Sequence, residues 1–124
     1  MTATTITTTG NRTHDPELRS TPSGKAVVTV RIAVNHRVRR GDEWVNGEPT
    51  FYEMPLWEQV AQYTAESLRR GDRVLVAGQV HTEAWTDSAG ATRTKQVIAD
   101  AEIGASLRFT SVAVQRTRRE QPAS

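Results

Sequence analysis

The stretch from Leu68 to Arg93 concentrates two kinds of side chain that act together on one class of ligand. It opens with Leu68-Arg69-Arg70-Gly71-Asp72-Arg73, continues as Val74-Leu75-Val76-Ala77-Gly78-Gln79-Val80, and reaches Trp85-Thr86-Asp87-Ser88-Ala89-Gly90-Ala91-Thr92-Arg93. A basic helix end meets a strand, and the strand runs into a hairpin with an indole near its tip. Cations that follow a phosphate backbone, beside flat rings that stack on bases, are what an unpaired nucleic-acid strand requires of a protein.

The remaining basic candidates fall into groups. Arg31, Arg37, Arg39 and Arg40 follow one strand into its loop with no acid between them. Arg69 and Arg70 end the helix, and Arg93 and Lys95 begin the strand beside Trp85. Each would neutralise a phosphate and release counterions, with a salt slope of about −0.7 per contact on a single strand. The alternative for any one of them is an ordinary solvated charge, and Arg19 has the same standing. Arg73 is expected to pair with Asp72 or Glu66.

Bulk charge adds little. The net +2 is accounted for by Arg116, Arg118, Arg119 and Glu120, so residues 1–115 are neutral overall. Local clustering has to carry the argument. The 124 residues suit one domain: residues 1–114 as the folded unit and 115–124 as a short, basic, disordered tail. There is no cysteine, hence no disulfide framework and no thiolate metal site. No apolar run approaches a membrane span, and the Thr-rich N-terminus has no export signal, so a cytoplasmic, nucleoid-associated location is expected. Catalysis has little support. His14, His36 and His81 lack metal-ligand spacing, and the best hydrolytic cluster is His81, Glu83 and Asp87, without a nucleophile elbow or phosphate loop. No enzyme activity, cofactor or metal is expected.

These side chains need a small β scaffold. Residues 3–10 favour a strand, Asn11 to Gly24 reads as a loop with a short strand at Glu17–Ser20, and Lys25–His36 alternates, with Val28, Val30, Ile32 and Val34 inward and Thr29, Arg31 and Ala33 outward. Arg37–Pro49 is a hairpin loop holding Trp44. Thr50–Trp57 is a third strand, placed at an edge or a strand end by Pro55. Trp57, Val60, Ala61, Ala65 and Leu68 share a helical face, so a helix spans Glu58–Arg70 and stops at Gly71. Arg73–Thr82 and Arg93–Ile103 are the fourth and fifth strands, with a bend or bulge at Gly78 and a hairpin tip at Asp87–Ala91, and Leu107–Val114 is a sixth. Five strands with one helix between the third and fourth is the order of an OB-fold, a five-stranded Greek-key barrel.

With that order in place, the chain resembles the bacterial single-stranded DNA-binding proteins over about residues 3–114. The carrying motifs are Gly10-Asn11, Asp15-Pro16 with Leu18-Arg19, Leu68-Arg69-Arg70-Gly71-Asp72, Gly78-Gln79, and Trp85-Thr86-Asp87 with Gly90 and Arg93. Ile103-Gly104-Ala105-Ser106-Leu107-Arg108-Phe109 with Thr110–Val114 resembles the actinobacterial branch, which implies a C-terminal strand clamping neighbouring subunits. The resemblance implies a homotetramer that coats single-stranded DNA without sequence preference, in replication, recombination, repair or DNA uptake, with Phe51, Trp57 and Trp85 stacking bases. Each ring also has a plain alternative, packing in the core. Trp44 would stack or sit on a subunit surface, and Tyr52 points inward.

The chain departs from the family pattern in three places. Threonines stand at Thr7–Thr9 where aliphatic residues are usual, and Val38 occupies a commonly aromatic position. The chain ends Arg-Arg-Glu-Gln-Pro-Ala-Ser rather than in an acidic tip, which puts recruitment of replication or repair enzymes through such a tip in doubt and fits a second paralogue or a plasmid or phage copy. The rival readings are an OB-fold interaction module, such as a partner subunit, and a metal-dependent nuclease.

Overall fold

The computed structural model describes residues 4–15 and 17–116, so Pro16 and the tail arginines Arg118 and Arg119 lie outside the described residues. In chain order the elements are β1 (Thr4–Arg12), β2 (Arg19–Ser20), β3 (Ala26–Val34), β4 (Arg37–Arg40), β5 (Glu43–Asn46), β6 (Thr50–Trp57), α1 (Glu58–Ser67), β7 (Arg73–Thr86) and β8 (Thr92–Ala105). The main sheet runs β1-β7-β8-β6-β3-β2, and β1 also pairs with β3, so the five long strands close into a ring. The joins are unequal. β3 pairs with β6 from Val27↔Trp57 to Val34↔Thr50, whereas β6 and β8 meet in parallel only at Tyr52↔Gln96 and Glu53↔Val97. β1 and β3 meet at Asn11↔Ala33 and Arg12↔Ile32. This is the expected partly open OB-fold barrel, with its helix between the third and fourth long strands.

The strands form because their apolar residues recur with period two. Val28, Val30 and Ile32 of β3, Met54 and Leu56 of β6, and Val74 and Val76 of β7 are buried together with Ile98 of β8. Each such side chain contributes about 1.5–3 kcal/mol by leaving water. Two glycines allow the strands to curve this tightly. A Cβ on Gly10 would stand 2.8 Å from the Ala33 carbonyl oxygen, and one on Gly78 would stand 2.5 Å from Ile98 Cγ2. The bulge expected at Gly78 is present as a register shift between Ala77 and Gln79.

Several boundaries differ from the sequence reading. The helix ends at Ser67, not Arg70. Leu68 turns extended because its side chain is buried and the Arg12 guanidinium takes its carbonyl oxygen (Nη1 to O, 2.7 Å). Gly71 (φ +89°) belongs to the turn that follows, where its N–H donates to the Arg12 carbonyl at 2.8 Å. On the helix, Ala61 and Thr64 are buried, whereas Val60 is exposed. β6 is not an edge strand: its ladder with β8 reaches only Glu53, so Pro55 forfeits no hydrogen bond on that side. Arg37–Pro49 is more ordered than a loop, because β4 and β5 pair from Arg37↔Asn46 to Arg40↔Glu43.

The sixth strand expected over Leu107–Val114 is the main correction: it does not form within the single chain. The β7–β8 ladder ends at Val74↔Ala105, and Leu107–Val114 forms no strand. A strand exists by pairing, and among the described residues this segment pairs with no other strand. Its apolar side chains stay in solvent, Leu107 at 68% exposure and Val114 at 82%. The Phe109 ring instead lies 5.3 Å from the Arg108 guanidinium and 5.7 Å from that of Arg73. Arg73 pairs with neither Asp72 nor Glu66 among the described ion pairs; its Nη2 donates to the Thr9 hydroxyl at 3.2 Å.

Candidate nucleic-acid interface

The alternation of β6 decides where its rings go. Met54 and Leu56 point inward and Tyr52 packs against the core, so Phe51, Glu53 and Trp57 share the outer face. Trp57 is the last strand residue and remains extended (φ −122°, ψ 151°), while Glu58 adopts φ +58° and turns the chain abruptly into the helix. That turn holds the indole outside instead of on the helix's buried stripe. Phe51, Trp57 and Trp85 are 42%, 49% and 46% exposed, so none is a core residue. Trp44, on β5, is more exposed still.

Trp85 rides on the ribbon of β7 and β8, opposite Arg93, with Glu83 opposite Lys95. The ribbon closes on an Asx turn. Asp87 Oδ1 accepts from the N–H groups of Ala89 (3.0 Å) and Ala91 (2.9 Å), and its Oδ2 accepts from Arg93 Nε at 2.8 Å. These bonds, Arg93's first, hold the Asp87 carboxyl below the usual carboxylate range.

Charges on this face alternate in sign across four strands. Arg31 on β3 stands opposite Glu53 on β6. Lys95 Nζ on β8 lies 3.5 Å from Glu53 Oε1 and 3.9 Å from Glu83 Oε1 on β7. His81 Nε2 lies 3.1 Å from Glu83 Oε2. Two cations also lie over rings: the Arg31 guanidinium is 4.4 Å from the Phe51 centroid, and Lys95 Nζ is 5.8 Å from that of Trp85. The structure therefore brings together Arg31, Phe51, Trp85, Arg93 and Lys95, with Trp57 two pleats along β6 from Glu53 on its outer side.

The other candidates lie apart from this cluster. Arg37 and Arg39 stand on the β4–β5 hairpin, where Arg37 Nη2 reaches the Trp44 carbonyl at 3.5 Å and Arg39 Nε the Gly41 carbonyl at 3.1 Å. Neither makes an ion pair among the described residues. Arg69 Nη1 donates to the Ala65 carbonyl at 2.7 Å, so it satisfies the helix's C-terminal end as a cation near that dipole should. The Arg70 N–H donates to Asp15 Oδ1 at 3.0 Å, and its side chain is exposed. Arg19 pairs with Glu17 at 2.7 Å. Beneath this corner Arg12 is buried, and burial pulls its guanidinium below the ordinary arginine value, against the pull of Asp72 and Asp15.

The hydrolytic cluster does not assemble. Asp87 is committed to the hairpin tip, and among the described residues no three His, Asp or Glu side chains are grouped to hold a metal. A cleft lies between α1, the end of β8 and residues 110–116, and Trp44, Phe51, Trp57 and Trp85 do not line it. Sequence reasoning missed Glu53. The signal was available, since Phe51, Glu53 and Trp57 share one parity along β6.

The barrel has counterparts among known proteins. The single-strand binding protein family model matches residues 3–109. The chain belongs to that family. It is 43% identical over 118 residues to a single-stranded DNA-binding protein of Paenarthrobacter aurescens, covering 94% of this chain and 69% of that one. It is 43% identical over 116 residues to single-stranded DNA-binding protein 2 of Streptomyces coelicolor, covering 92% and 58%. The crystal structure of a small single-stranded DNA-binding protein from Streptomyces coelicolor superposes with a TM-score of 0.74 at 30% identity, covering 86% of this chain and 97% of that one. No helix among the described residues is long and apolar enough to cross a membrane.

Proposed function

We propose that this protein coats single-stranded DNA without regard to sequence, by stacking bases on Phe51, Trp57 and Trp85 and by holding phosphates with Arg31, Arg37, Arg39, Arg93 and Lys95. The observation that carries this reading is the outward display of three rings on one barrel and its ribbon, each with nearly half its surface in water. A ring kept in solvent at that cost needs a planar partner, and every base offers one. Membership in a binding family agrees with a protein that does no chemistry of its own. Its effect is thermodynamic: a protein that binds only the open strand shifts the duplex equilibrium by mass action. Arg69 and Arg70 are weaker members of the site, since Arg69 is held at the helix end.

Assembly as a homotetramer is part of the proposal. Over Thr4–Gly10, β1 has β7 on one side and no strand on the other among the described residues, an edge suited to a second copy. The exposed apolar residues of Leu107–Val114 support the same reading, as a segment that becomes a strand on a neighbour. Work in replication, recombination, repair or DNA uptake within the cytoplasm follows from binding unpaired DNA.

A tryptophan-emission titration with oligo-dT, run against salt, tests the binding, and mass measurement of the assembly tests the tetramer. Quenching that salt reverses is expected. Unchanged emission with every length of dT would overturn the reading, as would cleavage of the strand.

A further inference from the structure

We propose that Glu53 and Glu83 are built-in competitors of the DNA phosphate for Lys95, so that the barrel face grips a strand by its rings and only weakly by its charge. The inference rests on the single-strand-binding reading and names the residues that limit it.

Lys95 stands beside Trp85, where a phosphate flanking a stacked base would reach it. That position is already taken by anions. Glu53 approaches Lys95 Nζ to 3.5 Å and Glu83 to 3.9 Å, and the three side chains are 32–49% exposed. The carboxylates are tethered, so their effective concentration at the ammonium is far above that of any phosphate in solution. A phosphate that binds there exchanges one anion for another and leaves the displaced carboxylates close by as like charges. Such an exchange releases few counterions, because the cation was neutralised beforehand. Glu53 acts a second time, since it stands opposite Arg31, the cation that covers Phe51. The row Arg31, Glu53, Lys95, Glu83 carries no net charge. Both carboxylates are on the outer face, and the backbone ladders beneath them do not use their side chains; Glu83 Oε2 also lies 3.1 Å from His81 Nε2, whereas Lys95 is the only cation within 4 Å of Glu53 among the described ion pairs.

The test is oligo-dT titration of the full chain, its Glu53→Gln/Glu83→Gln variant, and Glu66→Gln, which removes the same type of charge from the exposed side of the helix. The double variant is expected to bind about tenfold tighter at low salt, with a salt line steeper by about 0.7, one further phosphate contact. Glu66→Gln should change neither. Lys95→Ala should cost several-fold more in the double variant than in the parent, a coupling that a general change of fold or charge would not produce. Parent-like affinity, slope and Lys95 effect in the double variant would overturn the inference while leaving DNA binding intact. Absence of binding by parent and variant alike would overturn the function and the inference together.

Discussion

On the barrel face, Lys95 has two carboxylates within 4 Å and Arg93 is bonded to Asp87 at 2.8 Å. On the β4–β5 hairpin, Arg37 and Arg39 reach only carbonyl oxygens. The two regions carry the same kind of cation in opposite settings. A neutralised cation gives up a partner when phosphate arrives; a free one gives up only water and loosely held ions. The difference follows from architecture. Four adjoining strands bring acids and bases into register across the barrel, whereas a two-stranded hairpin has a single neighbour to supply compensation. On the proposed function, the rings of the barrel would offer a grip that salt disturbs little, and the hairpin one that salt disturbs strongly.

That contrast can be broken or sharpened experimentally. The largest effect belongs to the rings. Trp57→Ala and Trp85→Ala should each weaken oligo-dT binding by about 1–3 kcal/mol, whatever the sequence, with the salt slope nearly unchanged. Parent-like affinity in both would remove the barrel face from the site. Next comes charge on the hairpin. Arg37→Ala/Arg39→Ala should flatten the log K against log salt line by about 1.4, two contacts, while Lys95→Ala should barely move it. Equal changes in the two variants would erase the distinction between the regions.

A third prediction concerns how Trp57 is held out. Glu58 sits in the left-handed region at φ +58°, which costs an L-residue about 1–2 kcal/mol, so Glu58→Gly should raise the unfolding free energy by about 1 kcal/mol in a denaturant melt. The smallest effect is at the hairpin tip. The folded Asp87 carboxyl is depressed below its unfolded value, so its contribution is fully present above the ordinary carboxylate range and is lost as pH falls through the lower, folded midpoint. An NMR titration should find that midpoint below an ordinary aspartate's, and Arg93→Ala should move it upward.

How much of this was legible in the sequence varies with the kind of interaction. The strand alternation of β3, the bulge at Gly78 and the outward parity of Phe51 follow from period two and from backbone approach, and both are local properties. The helix end was misjudged because a buried arginine 56 residues earlier in the chain claims the Leu68 carbonyl. Leu107–Val114 has strand-forming residues but pairs with no strand among the described residues, and propensity does not supply a partner. The alternating row escaped notice because it is built across β3, β6, β8 and β7, and only the barrel's register makes neighbours of Arg31, Glu53, Lys95 and Glu83.

The parallel join of β6 and β8 is only two residue pairs long, and it lies directly under Glu53 and Lys95. A barrel breathes first where its walls are least stitched, here and at the equally short β1–β3 join. Amide protons near Tyr52, Glu53 and Gln96 should therefore exchange with solvent before those of the long β3–β6 ladder. Each such opening draws Arg31 and Glu53 away with one wall and Lys95 and Glu83 with the other, so the motion that loosens the barrel also unlatches the lysine from Glu53, though not from Glu83.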